Sequence, residues 1–325
     1  MFDVVALGEL LIDFTPCGQS ASGNTLFEQN PGGAPANVLV ALARLGKKTC
    51  FIGKIGNDQF GYFLKRTMES NNVDVSGLVF SNSVNTTLAF IHINDIGDRS
   101  FSFYRNPGAD MTLSENDLRY ELINDASIFH FGSVSMTAEP SRSATIKAVS
   151  YAKKKGIAIS YDPNLRIPLW KSLDEAREVI MVGMKYADFL KISEEELVFL
   201  TGESNLEKGS FLLYDKYGIG LIFVTLGSKG SFCRMGSHIA HSYTYDVKTI
   251  DTTGAGDAFL GGILYKILGE GCRISELRPA NISSFMDFAN AAGSLTTLKK
   301  GAITALPYLE DIKKCIETVP KLVKR

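Results

Sequence analysis

Short apolar runs separated by helical patterns constrain this chain more than any other feature. The clearest runs are Val4–Leu7, Ile128–Phe131, Ile157–Tyr161, Phe189–Ile192 and Leu221–Thr225. Helical patterns lie between them near 58–72, 141–155, 174–186 and 194–201. Others follow near 257–269, 284–298 and 309–318. Repeated strand, helix, strand order predicts an α/β fold with a central, mostly parallel sheet covered by helices on both faces. Such sheets bind ligands beyond the carboxyl ends of their strands. Asp13, Asp162 and Thr225 fall at or just past strand ends.

One region departs from this order. Leu88–Ile93 and Phe101–Tyr104 flank Asn94-Asp95-Ile96-Gly97-Asp98-Arg99, which reads as a hairpin with a glycine-containing loop. Ile12–Phe14 and Leu26–Glu28 offer a second extended pair. The 325 residues therefore read as one large α/β domain with a small β appendage. The net charge of −1 gives no reason to expect nucleic acid or an acidic membrane surface as a partner. No apolar run reaches membrane-spanning length, and the first residues enter a strand without a basic leader. The five cysteines are scattered and include no C-x-x-C pair, which predicts a reducing cytoplasm and no zinc. The four histidines have no metal-ligand spacing and read as structural or surface residues.

Chemistry is concentrated at Asp251-Thr252-Thr253-Gly254-Ala255-Gly256-Asp257, which opens a helix. Glycine permits positive φ or close approach of backbone to a ligand. A helix start supplies unpaired N–H donors and partial positive charge, which suit a phosphate. A carboxylate there would meet a hydroxyl approaching that phosphate, the arrangement that phosphoryl transfer to an alcohol needs. The same Asp257 could instead merely cap the helix. Upstream, Pro31-Gly32-Gly33-Ala34-Pro35-Ala36-Asn37 leads into a helical run ended by Gly46. Asn37 falls on its first turn, with a donor and an acceptor to offer. The glycine pair reads either as a close backbone approach to a ligand or as an ordinary turn.

Together these segments resemble the two signatures of the ribokinase-like, or PfkB, carbohydrate kinases. Gly32-Gly33 with Asn37 resembles the first signature, and Asp251–Asp257 the second. The likeness continues in order through Gly8-Glu9-Leu10-Leu11-Ile12-Asp13-Phe14, Phe101–Pro107, Tyr161–Arg166, Thr225-Leu226-Gly227 and Lys299-Lys300-Gly301-Ala302. Within the family it is nearest to bacterial and plant fructokinases. The resemblance implies a ribokinase-like domain spanning 1–325, with a β lid from segments of about 12–31 and 86–108. A lid would exclude water that competes for the phosphoryl group. It also supplies a surface through which a homodimer could form.

The resemblance further implies ATP-dependent phosphorylation of a free sugar, D-fructose at its 6-hydroxyl. Asp257 would be the general base, with Gly254, Ala255 and Gly256 as the anion hole and Arg166 facing the substrate or the phosphates. Asp13, Gly32, Gly33, Asn37, Phe103 and Arg105 would form the sugar pocket. Thr225, Gly227, Gly230 and Asn290 would meet the nucleotide. Ser193-Glu194-Glu195-Glu196 stands in place of an Asn-x-x-Glu motif that positions Mg2+ through water, with Ser193 replacing the asparagine. A K+ site would draw on Asp251, Thr253, Thr296, Lys299 and Gly301, although Ala305 stands where a serine often contributes. No P-loop sequence is present. A 2-keto-3-deoxygluconate kinase of the same family is the alternative substrate reading, prompted by Tyr104 and Arg105. A non-catalytic sugar-binding relative would have lost Asp257 or the glycines, and a nicotinamide enzyme would carry G-x-G-x-x-G after the first strand.

Overall fold

The structure is a computed structural model, and it describes residues 1–93, 99–271 and 273–323. The strands in chain order are β1 (Phe2–Leu7), β2 (Leu11–Gln19), β3 (Thr25–Gly32), β4 (Thr49–Gly56), β5 (Val73–Ser81), β6 (Leu88–Ile93) and β7 (Arg99–Tyr104). They continue with β8 (Ala126–Phe131), β9 (Ala158–Tyr161), β10 (Phe189–Ser193), β11 (Leu221–Thr225), β12 (Ser231–Met235) and β13 (His238–Ser242). The helices are α1 (Ala34–Arg44), α2 (Gln59–Ser70), α3 (Tyr120–Asn124), α4 (Ser141–Lys154), α5 (Leu173–Met184) and α6 (Glu194–Thr201). After them come α7 (Leu206–Tyr217), α8 (Ala255–Glu270), α9 (Pro279–Thr296) and α10 (Leu309–Thr318).

The large sheet has the order β13-β12-β11-β10-β9-β8-β1-β4-β5. It is parallel from β11 through to β5, and β12 and β13 complete one edge antiparallel. The five predicted strands form its middle, from β1 through β8 to β11. Their side chains alternate between two buried clusters. Val4 and Ala6 join α1, α8 and α9 on one face, whereas Val5 and Leu7 join α4, α5 and α6 on the other. Burial on both faces explains why these strands read as unbroken apolar runs. The chain leaves β1 for β4 on one side and later returns to β8 on the other. The resulting switch point opens a crevice at the carboxyl ends of the strands.

Helix α8 is unusually close to its neighbours. A Cβ on Gly261 would lie 2.7 Å from Ala41 Cβ, and one on Gly262 would lie 2.9 Å from Ala289 Cα. These two glycines let α8 seat between α1 and α9, which brings the first turns of α1 and α8 together.

The second sheet has the order β3-β2-β6-β7 and rises from residues 11–32 and 88–104. The β6–β7 hairpin pairs Leu88 with Tyr104 and Ala89 with Phe103; its expected loop over 94–98 lies outside the described residues. Phe90 is the hub of this sheet, stacked on Phe14 with centroids 4.8 Å apart and touched edge-on by Phe27 and Tyr104. Phe14 also meets Phe60 of α2 edge-on at 5.8 Å, which anchors the small sheet to the large one.

Candidate active site

The loop before α8 is held by Asp251. Its Oδ1 accepts from the N–H and hydroxyl of Thr253 at 2.9 and 2.7 Å, and its Oδ2 accepts from Gly301 N at 3.0 Å. The two expected glycines have different surroundings. Gly254 is the N-cap of α8 with φ 78°, a left-handed conformation in which a Cβ would also meet Ala302 Cβ at 2.8 Å. Gly256 is helical, and the Lys191 ammonium fills the space beside it: a Cβ would lie 2.9 Å from Lys191 Nζ. Ala255 N–H donates back to Thr252 O at 3.2 Å. Gly256 and Asp257 N–H sit on the first helical turn, where no carbonyl one turn back can accept them.

Asp257 does not cap α8, since Gly254 holds the cap position and makes no side-chain bond there. Its buried carboxylate instead accepts from Asn37 Nδ2 at 2.7 Å on Oδ2. Burial pushes its carboxyl up, opposed by Lys191, by the Asn37 bond and by Arg166. The helix seam at Gly261 is what allows Asn37 on α1 to reach across to α8.

Lys191, which sequence reading passed over as part of an apolar strand, is central to the site. It lies in β10 with its ammonium 2.9 Å from Asp162 Oδ2 at the end of β9, and both groups are buried. Burial alone would lower the Lys191 ammonium, but the Asp162, Glu196 and Asp257 carboxylates outweigh it and raise it. It is therefore a fixed positive charge beside the first turn of α8. The other Asp162 oxygen, Oδ1, is buried without a partner.

Of the expected sugar residues, Asn37 meets Asp257, and Asp13 and Gly32 are close neighbours. Asp13 lies over Gly32 so closely that a Cβ there would be 2.3 Å from Asp13 Oδ2. Burial holds the Asp13 carboxyl up at about 6, with Arg166 opposing and Asp251 adding to the rise. The exposed Arg166 therefore lowers both the Asp13 and the Asp257 carboxyl through its charge. Gly33, with φ 125°, turns the chain past Glu9 O into α1, and the Glu9 carboxylate accepts from Ala34 N at 2.9 Å. Phe103 is half-buried on β7 opposite Ala89.

Arg105 occupies a different setting from an open pocket wall. Its Nε donates to Asp110 at 2.8 Å, one terminal nitrogen to Thr137 Oγ1 at 2.8 Å, and the other to Val134 O at 3.1 Å. With the ion pair to Asp110 buried, every guanidinium nitrogen has a partner within the protein.

A cavity of about 540 Å3 adjoins the α8 N-terminus. Ser193, Thr225, Gly227, Gly230, Gly256 and Asn290 all line it, which gathers most of the expected nucleotide residues in one place. Asn290 donates to Ser242 O and Tyr243 O at 3.2 Å each, so it also braces the end of β13. Glu196 is not among the lining residues. It closes a capping box with Ser193: Glu196 Oε2 accepts from Ser193 N at 2.8 Å, and Ser193 Oγ accepts from Glu196 N at 3.1 Å. Its Oε1 accepts from Leu165 N at 2.7 Å and so fixes the loop that carries Arg166. Among the described residues no group of three or more His, Cys, Asp and Glu side chains is placed to hold a metal. Of the expected K+ set, the Asp251–Gly301 bond joins the two loops, the Thr296 hydroxyl donates to Ala292 O at 2.9 Å within α9, and Lys299 is exposed.

The chain matches the family model of the pfkB family carbohydrate kinases over residues 1–309. It is 45% identical over 308 residues to a protein named probable fructokinase-2 from Arabidopsis thaliana, covering 94% of this chain and 92% of that one. Among solved structures, the fructokinase from Xylella fastidiosa with bound ATP superposes with a TM-score of 0.90 at 32% identity, covering 98% and 99% of the two chains. A double-mutant fructokinase from Vibrio cholerae O395 with bound fructose, ADP and potassium ion gives a TM-score of 0.86 at 36% identity, covering 97% and 98%.

Proposed function

This chain belongs to the pfkB family of carbohydrate kinases, and we propose that it transfers the γ-phosphoryl group of ATP to the 6-hydroxyl of D-fructose. It is a sugar kinase with a ribokinase-like fold. The observation that carries the reading is a buried carboxylate, Asp257, on the first turn of α8 and beside both a fixed ammonium and a nucleotide-sized cavity.

The residues divide the work as follows. Asp257 takes the proton from the attacking hydroxyl; Asn37 holds Oδ2 and leaves Oδ1 to receive it. Lys191 and the first-turn N–H groups stabilise charge that builds on the transferring oxygens. Asp13, Arg166 and Asn37 orient the sugar. The hydroxyl oxygen bonds to the γ-phosphorus, the bond from that phosphorus to the β–γ bridging oxygen breaks, and ADP leaves. Both Glu196 oxygens already accept backbone N–H groups, so this carboxylate fits Mg2+ through water rather than as a direct ligand. The ion would neutralise phosphate charge. K+ would sit between the 251–253 and 299–301 loops, held by Asp251 and backbone carbonyls.

We read the small sheet as the lid over the sugar. Its exposed Leu26, Phe27 and Tyr104 suit pairing with a second lid, so a dimer by light scattering at micromolar concentration is expected. The cysteines Cys50, Cys233 and Cys315 are buried free thiols, in keeping with a cytoplasmic protein.

The test of substrate is kcat/KM for fructose, ribose and 2-keto-3-deoxygluconate with ATP. Fructose should lead. A keto acid favoured by ~10-fold or more, about 1.4 kcal/mol of discrimination, would overturn the sugar assignment. The internal pairing of Arg105 favours fructose, because an arginine committed to Asp110 is not presented to a substrate carboxylate. Arg105→Ala should accordingly lower thermal stability by roughly 3–5 kcal/mol, the cost of orphaning a buried charge, and leave the order of substrates unchanged.

A further inference from the structure

The segment Pro320–Val323 lies beyond the stretch matched by the family model, which ends at residue 309. It is nevertheless built into the cavity. Asp246 N donates to Pro320 O and Leu322 N donates to Thr244 O, each at 2.9 Å, around an antiparallel bridge between Tyr245 and Lys321. Lys321 clamps the crossing: its ammonium lies 3.8 Å from the Tyr245 ring centroid and pairs with Asp287, which also accepts from Tyr245 Oη at 2.8 Å. Leu322 then joins Tyr245 and Val247 on the cavity wall.

Helix α9 gives the distance from this wall to the cradle. Thr297, just past its end, accepts from Asp251 N at the cradle, whereas Asn290 braces Tyr243. Seven residues of helix separate them, roughly 10 Å at 1.5 Å per residue. Ser294, between them, bonds the Thr244 hydroxyl, next to the carbonyl that receives Leu322 N. Leu322 is thus one to two helical turns from the phosphate end.

We infer that Pro320–Val323 forms a wall of the nucleotide site, with Leu322 packing against the base. The inference rests on reading the cavity as the ATP site and adds which part of the ATP this segment holds. An apolar side chain on a wall clamped by backbone bonds suits the flat face of a heteroaromatic base, and offers a phosphate nothing.

The experiment compares ATP with inorganic tripolyphosphate, which lacks the base. Calorimetric titration gives the Kd for ATP, and competition against ATP in the kinase assay gives the tripolyphosphate inhibition constant. Leu322→Ala should weaken ATP about 10-fold, or about 1.4 kcal/mol, and leave tripolyphosphate inhibition and KM for fructose unchanged. A chain ending at Val319 should weaken ATP further. If that chain fails to fold, Leu322→Ala still decides, since it removes only a side chain from the wall. An ATP Kd within twofold of wild type overturns the inference, and so does equal weakening of ATP and tripolyphosphate. Failure of the kinase reading shows separately, as a wild-type chain that does not bind ATP.

Discussion

Asp257→Asn should leave a folded protein that still binds sugar but turns over at least ~10²-fold more slowly, the lower end of what a positioned general base contributes. The substitution conserves shape and keeps an oxygen for the Asn37 bond, which is 2.7 Å long in the parent. It removes only the capacity to accept a proton at the reacting position. The wild-type pH profile provides a second signature. A base must be ionised to act, and burial raises the Asp257 carboxyl above the ordinary carboxylate range. Activity should therefore fall on the acid side at a higher pH than an exposed aspartate would give, and reach a plateau above it. The variant's residual activity should lose that limb. Retention of more than about half the wild-type rate would remove Asp257 from the base role.

Lys191→Met should lower both stability and turnover. Removing one partner of a buried pair leaves Asp162 uncompensated, a cost of roughly 3–5 kcal/mol read from thermal or denaturant unfolding. At a temperature where the variant is folded, kcat should still be reduced by ~10²-fold or more, the scale of losing one preorganised group that stabilises transition-state charge. The double variant Lys191→Met/Asp162→Asn separates the two effects. With the carboxylate paired directly to Lys191 neutralised, it should regain part of the lost stability, while activity stays low. Activity that recovers along with stability would reduce Lys191 to a structural role.

The difference between these two residues also shows what local sequence can carry. Asp257 was legible because its neighbours announce a helix start and a backbone that must turn sharply. Those are properties of adjacent residues. Lys191 was not legible, because its meaning comes from Asp162 on the next strand, and sheet register is a property of the whole fold. Arg105 was placed on the correct hairpin, but its commitment to Asp110 and Val134 depends on how the following loop packs. Ser193 gave a local signal that went unused: serine three residues before glutamate is a capping box, so its replacement of the motif's asparagine keeps the helix start intact. Strands β4 and β5 were missed because Gly53 and Gly56 interrupt the apolar run in β4, and polar residues divide β5. Helix α9 starts at Pro279, earlier than the expected 284: Pro279 takes the first helical position, and in the first turn only Ile282 is buried, too short an apolar signal to mark a start. For Leu322 there was no signal at all, since one leucine near charged residues resembles any surface leucine.

The hydrogen bond between Asn37 and Asp257 joins residues 220 positions apart. Closing so long a loop is entropically unfavourable until intervening elements have condensed, so this bond belongs to the last stages of folding. A chain still being synthesised carries its first glycine turn and Asn37 long before the residue that they serve exists. No partly made chain can hold the site. Turnover is therefore a stringent reporter of completed folding: in a refolding experiment it should return no earlier than burial of the α1–α8 seam, even where helical content has already recovered.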